Sequence, residues 1–164
     1  MNHDFNWNKD TFDSKYQVLS QGLLKYALNF ESWHNSAIAT TQTGIYLFKT
    51  QGLSKAETLL LNNRNEVLAV ITFNWLALNA TIKFTNGDSF KFLYQRNWIT
   101  EWSLNNGTDK QVFYKARTGS GMIKSNVDEE LTILTGLYIR EYFSRLLFLI
   151  IGVILIGLFV RGSF

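Results

Sequence analysis

The chain has 164 residues, sixteen Lys and Arg against thirteen Asp and Glu, and neither Cys nor Pro. That length fits one domain, and 46% apolar with 15% aromatic residues is enough to bury a core, which excludes disorder, a collagen-like repeat and a disulfide scaffold. Absence of Cys excludes thiol catalysis, Cys-ligated zinc and iron–sulfur clusters.

In chain order, residues 1–15, MNHDFNWNKDTFDSK, are polar and lack the apolar core of a secretory signal; they are expected to form a tail. From residue 16 to about 125 the sequence reads as short alternating segments broken by Asn and Gly, an antiparallel β pattern. Leu24, Tyr26, Leu28 and Phe30 alternate with Lys25, Ala27 and Asn29. Further strands are expected over 45–49, 56–61, 67–73, 78–85, 89–94, 98–104 and 111–117. No long helical pattern intervenes, which argues against parallel crossovers.

The turns Asn62-Asn63-Arg64-Asn65, Asn86-Gly87 and Asn105-Asn106-Gly107 supply residues that tolerate positive φ. The middle one fixes a register. Ile82 and Phe84 share a face with Phe90 and Phe92 only if the loop between them has an odd number of residues, which predicts a three-residue loop with Gly87 in the left-handed position of a bulge. The same parity groups Trp98, Trp102 and Leu104 with Val112 and Tyr114, and turns Lys83 and Lys91 to the wet face.

Residues 128–143, DEELTILTGLYIREYF, read as a helix with Asp128 as N-cap, Glu129 and Glu130 at the positive end of the dipole and Arg140 toward the other. It is apolar on nearly every side and needs enclosure. Residues 146–160, LLFLIIGVILIGLFV, are fifteen consecutive apolar residues bracketed by Arg145 and Arg161. As a helix they rise about 22 Å, short of the roughly 30 Å hydrocarbon core, so a span needs help from 142–144, snorkelling arginines and local thinning. The expected role is a single-pass C-terminal anchor with the N-terminal domain in the cytoplasm, in keeping with Arg140 and Arg145 on that side. Gly152 and Gly157 are five apart and do not make a G-x-x-x-G packing motif.

The succession LLLNNRNEVLAV, TIKFTNGDSFKF and WSLNNGTDKQVFYKA, each strand, Asn or Asn-Gly turn, strand, followed by the GLYI helix, resembles the tubby C-terminal-like superfamily: tubby domains, LURP-one-related proteins and phospholipid scramblases. The likeness runs over about 16–143. It implies a closed antiparallel barrel of about ten to twelve strands around a C-terminal apolar helix. The domain reading is therefore a tail at 1–15, a barrel with its central helix at 16–143 and a membrane anchor at 144–164. We assign 128–143 to the barrel axis and 146–160 to the bilayer, with the reverse as the alternative.

Signals for chemistry are sparse. There is no phosphate-binding G-x-x-x-x-G-K-[ST], and Gly119-Ser120-Gly121 lacks the rest of a dinucleotide fingerprint. His3 and His34 lack metal-site spacing. Glu101 and Asp109 are the one carboxylate pair to consider for hydrolysis, with nothing to fix their separation. Asn79-Ala80-Thr81 and Asn106-Gly107-Thr108 are formal glycosylation sequons without meaning on a cytoplasmic domain. Basic residues are spread along the chain among acids, which sets nucleic acid aside. The resemblance to lipid-binding relatives makes Lys83, Lys91, Lys115, Arg117 and Lys124 the candidates to face anionic headgroups. The expected function is that of a noncatalytic, membrane-tethered binding or accessory subunit, without metal or cofactor, acting on a membrane protein or on lipid headgroups. Scramblase-like lipid handling is one alternative, and a small carboxylate-dependent hydrolase another.

Overall fold

The computed structural model describes residues 3–10, 14–31, 34–51, 57–95 and 98–161. Twelve strands, β1 (His3–Lys9), β2 (Lys15–Ser20), β3 (Leu23–Phe30), β4 (Ala37–Thr40), β5 (Ile45–Gln51), β6 (Glu57–Leu61), β7 (Val67–Asn74), β8 (Asn79–Phe84), β9 (Ser89–Tyr94), β10 (Glu101–Asn105), β11 (Gln111–Arg117) and β12 (Ser120–Ser125), precede one helix, α1 (Glu130–Arg161). Each strand pairs antiparallel with its neighbours in sequence, and β1 pairs with β12 to close the barrel. Closure leaves no edge strand to recruit another chain.

Residues 3–9 are thus barrel wall, and the expectation of a tail over 1–15 is corrected for them. In β1, Phe5 and Trp7 point inward and are buried, while Asp4, Asn6 and Asn8 point to solvent. Two aromatic rings suffice to fix this strand against β12 and β2, with Trp7 opposite Gly121 and Val18. Residues 37–40 and 120–125 are also strands, absent from the sequence reading. Residues 98–100 form a single 3-10 turn, so the strand expected over 98–104 begins at Glu101. Ala56, the expected start of another strand, lies outside the described residues.

The hairpin between β8 and β9 has the anticipated register. Ile82 pairs with Phe90 and Lys83 with Ser89; the Phe84 amide donates to the Asp88 carbonyl at 2.8 Å and the Gly87 amide to the Phe84 carbonyl at 3.1 Å. That encloses residues 85–87 with Gly87 at φ +97°. Leu24 departs from expectation. A bulge between Val18 and Leu19 leaves Lys25 as the extra residue, so Val18 pairs with Tyr26 but Leu19 with Leu24. The extra residue inverts parity, and Leu24 faces solvent.

α1 is one unbroken helix rather than two segments. Its first turn starts later than expected: the Ile133 amide donates to the Glu129 carbonyl and the Thr132 hydroxyl to the Glu129 carboxylate at 3.1 Å. Glu129 therefore occupies the N-cap place, and Asp128 lies outside the helix, 3.7 Å from His3 Nε2. Residues 132–139 are buried without interruption, as are Glu141 and Phe143. Burial of Ile133, Leu134, Leu137, Ile139 and Phe143 at about 1.5–3 kcal/mol each makes the axial helix the centre of the core. Beyond Ser144 the helix leaves the barrel, and Phe148 and Phe159 are 82% and 78% exposed. The barrel holds 131–143 and 146–160 continues outside it; α1 as a whole is long and apolar enough, by length and composition, to cross a membrane.

Candidate functional site

The helix leaves the barrel through a collar of charged residues. An acidic residue in an apolar helix must find partners or stay protonated, and Glu141, almost wholly buried, finds three. Lys9 Nζ, from the end of β1, donates to both carboxylate oxygens at 2.9 and 2.8 Å. The Tyr16 hydroxyl on β2 donates to Oε2 at 2.7 Å, and Arg145 Nε, one helical turn on, to Oε1 at 3.2 Å. Arg140 Nη1 donates to the Tyr16 oxygen at 2.8 Å, and its guanidinium lies 5.5 and 5.4 Å from the Trp7 and Trp102 rings. Arg145 Nη1 donates to the carbonyls of Glu31 at 2.9 Å and His34 at 3.0 Å, with the guanidinium 4.8 Å from the Phe30 ring.

Local structure explains the convergence. Glu141 and Arg145 are four apart on α1 and share a face. Arg140, one residue before Glu141, points about 100° away, toward the Trp7 and Trp102 side of the wall, and Tyr16 bridges the two directions. Burial pushes the Glu141 carboxyl up, but the bonds from Lys9, Tyr16 and Arg145 outweigh it and hold the group below the usual glutamate range. Burial pushes the Tyr16 hydroxyl well above the ordinary tyrosine value. Lys9, Arg140 and Arg145 against Glu141 give the collar a net charge of +2. Each Glu141 oxygen already accepts two bonds, which suits the group to locking the helix rather than to moving a proton.

The collar was not legible in advance, because Lys9 and Tyr16 stand 132 and 125 residues from Glu141 in sequence. The one available signal was the Arg140-Glu141 pair inside an apolar stretch. The five headgroup candidates, Lys83, Lys91, Lys115, Arg117 and Lys124, are all exposed on the outer wall. They fall on two arcs, β8–β9 and β11–β12, separated by β10. Lys115 Nζ is 2.7 Å from Glu101 Oε1, its cross-strand neighbour. Glu101 begins β10, whereas Asp109 lies in the loop at the opposite end of that hairpin, so the structure does not bring this pair together. His34 contributes its carbonyl rather than its ring, and among the described residues no group of three His, Asp or Glu is placed to hold a metal ion.

At the other end of the barrel, a cavity of about 370 Å³ has Leu68, Phe84 and Leu131 in its lining and Asp128, Glu129 and Glu130 around it. Glu130 closes one side, accepting from the Thr43 hydroxyl at 2.8 Å. No family model, curated protein or solved structure matches the chain, so the features that characterise it are the closed barrel, the helix along its axis and the apolar extension beyond the charged collar.

Proposed function

We propose that this chain is a noncatalytic, membrane-tethered barrel that acts as a binding or accessory subunit, presenting its wall to a membrane protein or to anionic lipid. The observation that carries the reading is the continuity of α1, which is buried as the barrel's own core over 132–143 and emerges as a largely exposed apolar rod from Phe148 to Val160. The collar supports it, because Glu141 and Arg145 fasten the helix to β1, β2 and the end of β3 at the point of emergence. A barrel so fixed is an extension of its anchor. Filling of the interior by the helix and by rings such as Trp102 and Tyr114 supports an outward-facing role. Kinship with the tubby-like superfamily and a cytoplasmic barrel belong to the same proposal.

The test is extraction of the full chain from membranes, first with carbonate and then with mild detergent, followed by identification of what co-purifies. A carbonate-resistant chain that leaves with one membrane protein in fixed ratio supports the accessory role. Accelerated phospholipid exchange between leaflets of vesicles holding the purified chain alone would replace it with the lipid-handling alternative. Release by carbonate would overturn the anchoring itself.

A further inference from the structure

We propose that the rim from which the helix emerges is seated in the headgroup layer of the bilayer, with the turn between β7 and β8 and Ile99 as its lipid contacts. This rests on the reading that 146–160 spans the membrane, and it specifies how the barrel stands on it.

The first argument is length. Arg145 is bonded to rim carbonyls at Glu31 and His34, and the apolar run begins at the next residue within the same helix. There is no spacer. Fifteen residues rise about 22 Å against a hydrocarbon core of roughly 30 Å, so the apolar layer must reach the rim for the segment to cross at all.

The second argument is turn chemistry. At the far rim the turns contain Gln21-Gly22, Asn62 to Asn65, Asn86-Gly87 and Asn106-Gly107, as solvent-facing hairpins should. At the exit rim the β7–β8 turn is Trp75-Leu76-Ala77-Leu78. Trp75 is 55% and Leu76 79% exposed, and Ile99, in the connection between β9 and β10, is 50% exposed. Leu78 adopts φ +49°, a left-handed conformation that Gly or Asn takes readily and Leu does not. The turn keeps apolar residues where water and backbone both favour polar ones, and Trp is the residue that prefers a membrane interface.

The third argument is position. The Phe73 ring stacks on Tyr142 at 3.8 Å and meets Phe143 edge-on, and Tyr94 lies 6.2 Å from Phe143. The connections that follow Phe73 and Tyr94 in sequence therefore flank the helix just before its apolar run.

The chain has no Cys, so single reporters can be placed in the full protein by Leu76→Cys at the exit rim, Asn63→Cys at the far rim and Ile154→Cys in the apolar run. All three positions are exposed. Each variant is labelled with an environment-sensitive fluorophore and reconstituted in vesicles of phosphatidylcholine and phosphatidylserine, then quenched from water with iodide and from lipid with headgroup-level or chain-level nitroxides. The expected result is a label at 76 quenched by the headgroup-level nitroxide and several-fold less by iodide than the label at 63, with the label at 154 quenched from the chain level. A label at 76 as open to iodide as that at 63, with 154 still in lipid, overturns the seating and leaves the rim to a protein partner. Shielding of 63 and 76 alike also overturns it, since the barrel would lie on its side. An iodide-accessible label at 154 overturns the anchoring reading on which the proposal rests.

Discussion

Gly136→Ala is the substitution that tests the packing of helix against barrel. A Cβ at Gly136 would lie 2.7 Å from Tyr114 Cε2 and closer still to Cζ and Oη. The ring has little room to retreat: Tyr114 is fully buried, stacked on Trp102 with centroids 5.2 Å apart and planes 6° from parallel, and its hydroxyl donates to the Ile133 carbonyl at 2.9 Å. On the other side, Trp102 Nε1 donates to the Gly136 carbonyl at 3.2 Å, tying the helix to the same stack. Overpacking costs about 1–3 kcal/mol, and a lost buried hydrogen bond adds about 1–3 kcal/mol. Alanine regains about 1 kcal/mol of helix propensity over glycine. The net expectation is destabilisation by about 1–5 kcal/mol. Thermal unfolding of the full chain in detergent measures it, with Gly152→Ala, whose added Cβ meets nothing within 4 Å, as the control that gains the same helix propensity without the clash. In a double-mutant cycle, Tyr114→Ala should absorb much of the Gly136→Ala cost. A Gly136→Ala protein as stable as the parent, or a cycle without coupling, would refute the close approach.

Leu134→Asp strands a charge at a fully buried position of α1 and should cost several kcal/mol, seen as loss of cooperative unfolding. Gly87→Val forces a β-branched residue to φ +97° and should cost about 1–3 kcal/mol through the backbone alone, since no atom crowds that position; an unchanged midpoint would contradict the odd loop. Glu141→Gln leaves Lys9 and Arg145 without their counter-charge and should cost about 3–5 kcal/mol, a loss that Lys9→Met in the same chain partly restores. Because the folded-state pKa of Glu141 is depressed, its contribution is full above the ordinary glutamate value of 4.5 and fades as pH falls through the lower folded value; the parent should lose stability there and Glu141→Gln should lose less. Truncation after Arg145 should give a folded, water-soluble barrel, whereas a cut before Arg145 also removes its bonds to Glu141, Glu31 and His34 and should be less stable; aggregation of both forms would count against the division of α1.

Some of this was legible because physics acts locally. The β8–β9 register follows from the parity of Ile82, Phe84, Phe90 and Phe92 around one glycine, and the division of α1 follows from enclosure: one apolar segment fits a barrel, and the next has no room in it. What escaped the sequence depends on distant partners. β1 shows only Phe5 and Trp7 among polar residues, and β12 only Ile123 among its buried apolar side chains; each reads as a strand only once the other is beside it. Leu24 turns outward because a bulge that no local pattern marks inverts its parity. The Glu141 collar draws on both ends of the chain, and Leu78, expected to open the strand over 78–85, falls in the turn before β8, where an apolar side chain opposes the usual turn rule.

Closure between β1 and β12 also orders events in time. Hairpins such as β8–β9 zip from local contacts within microseconds, but the closing pair joins the first strand to the last and carries the largest loop-closure entropy. Until it forms, the sheet is an open ribbon whose inward aromatics have only α1 to cover them. A finished barrel would have to reopen to admit a helix that protrudes from it, so the sheet wraps a helix already in place. On the proposed reading that 146–160 is a membrane anchor, its delivery and the completion of the core belong to one folding event, in which late closure of the wall is the step expected to limit the rate.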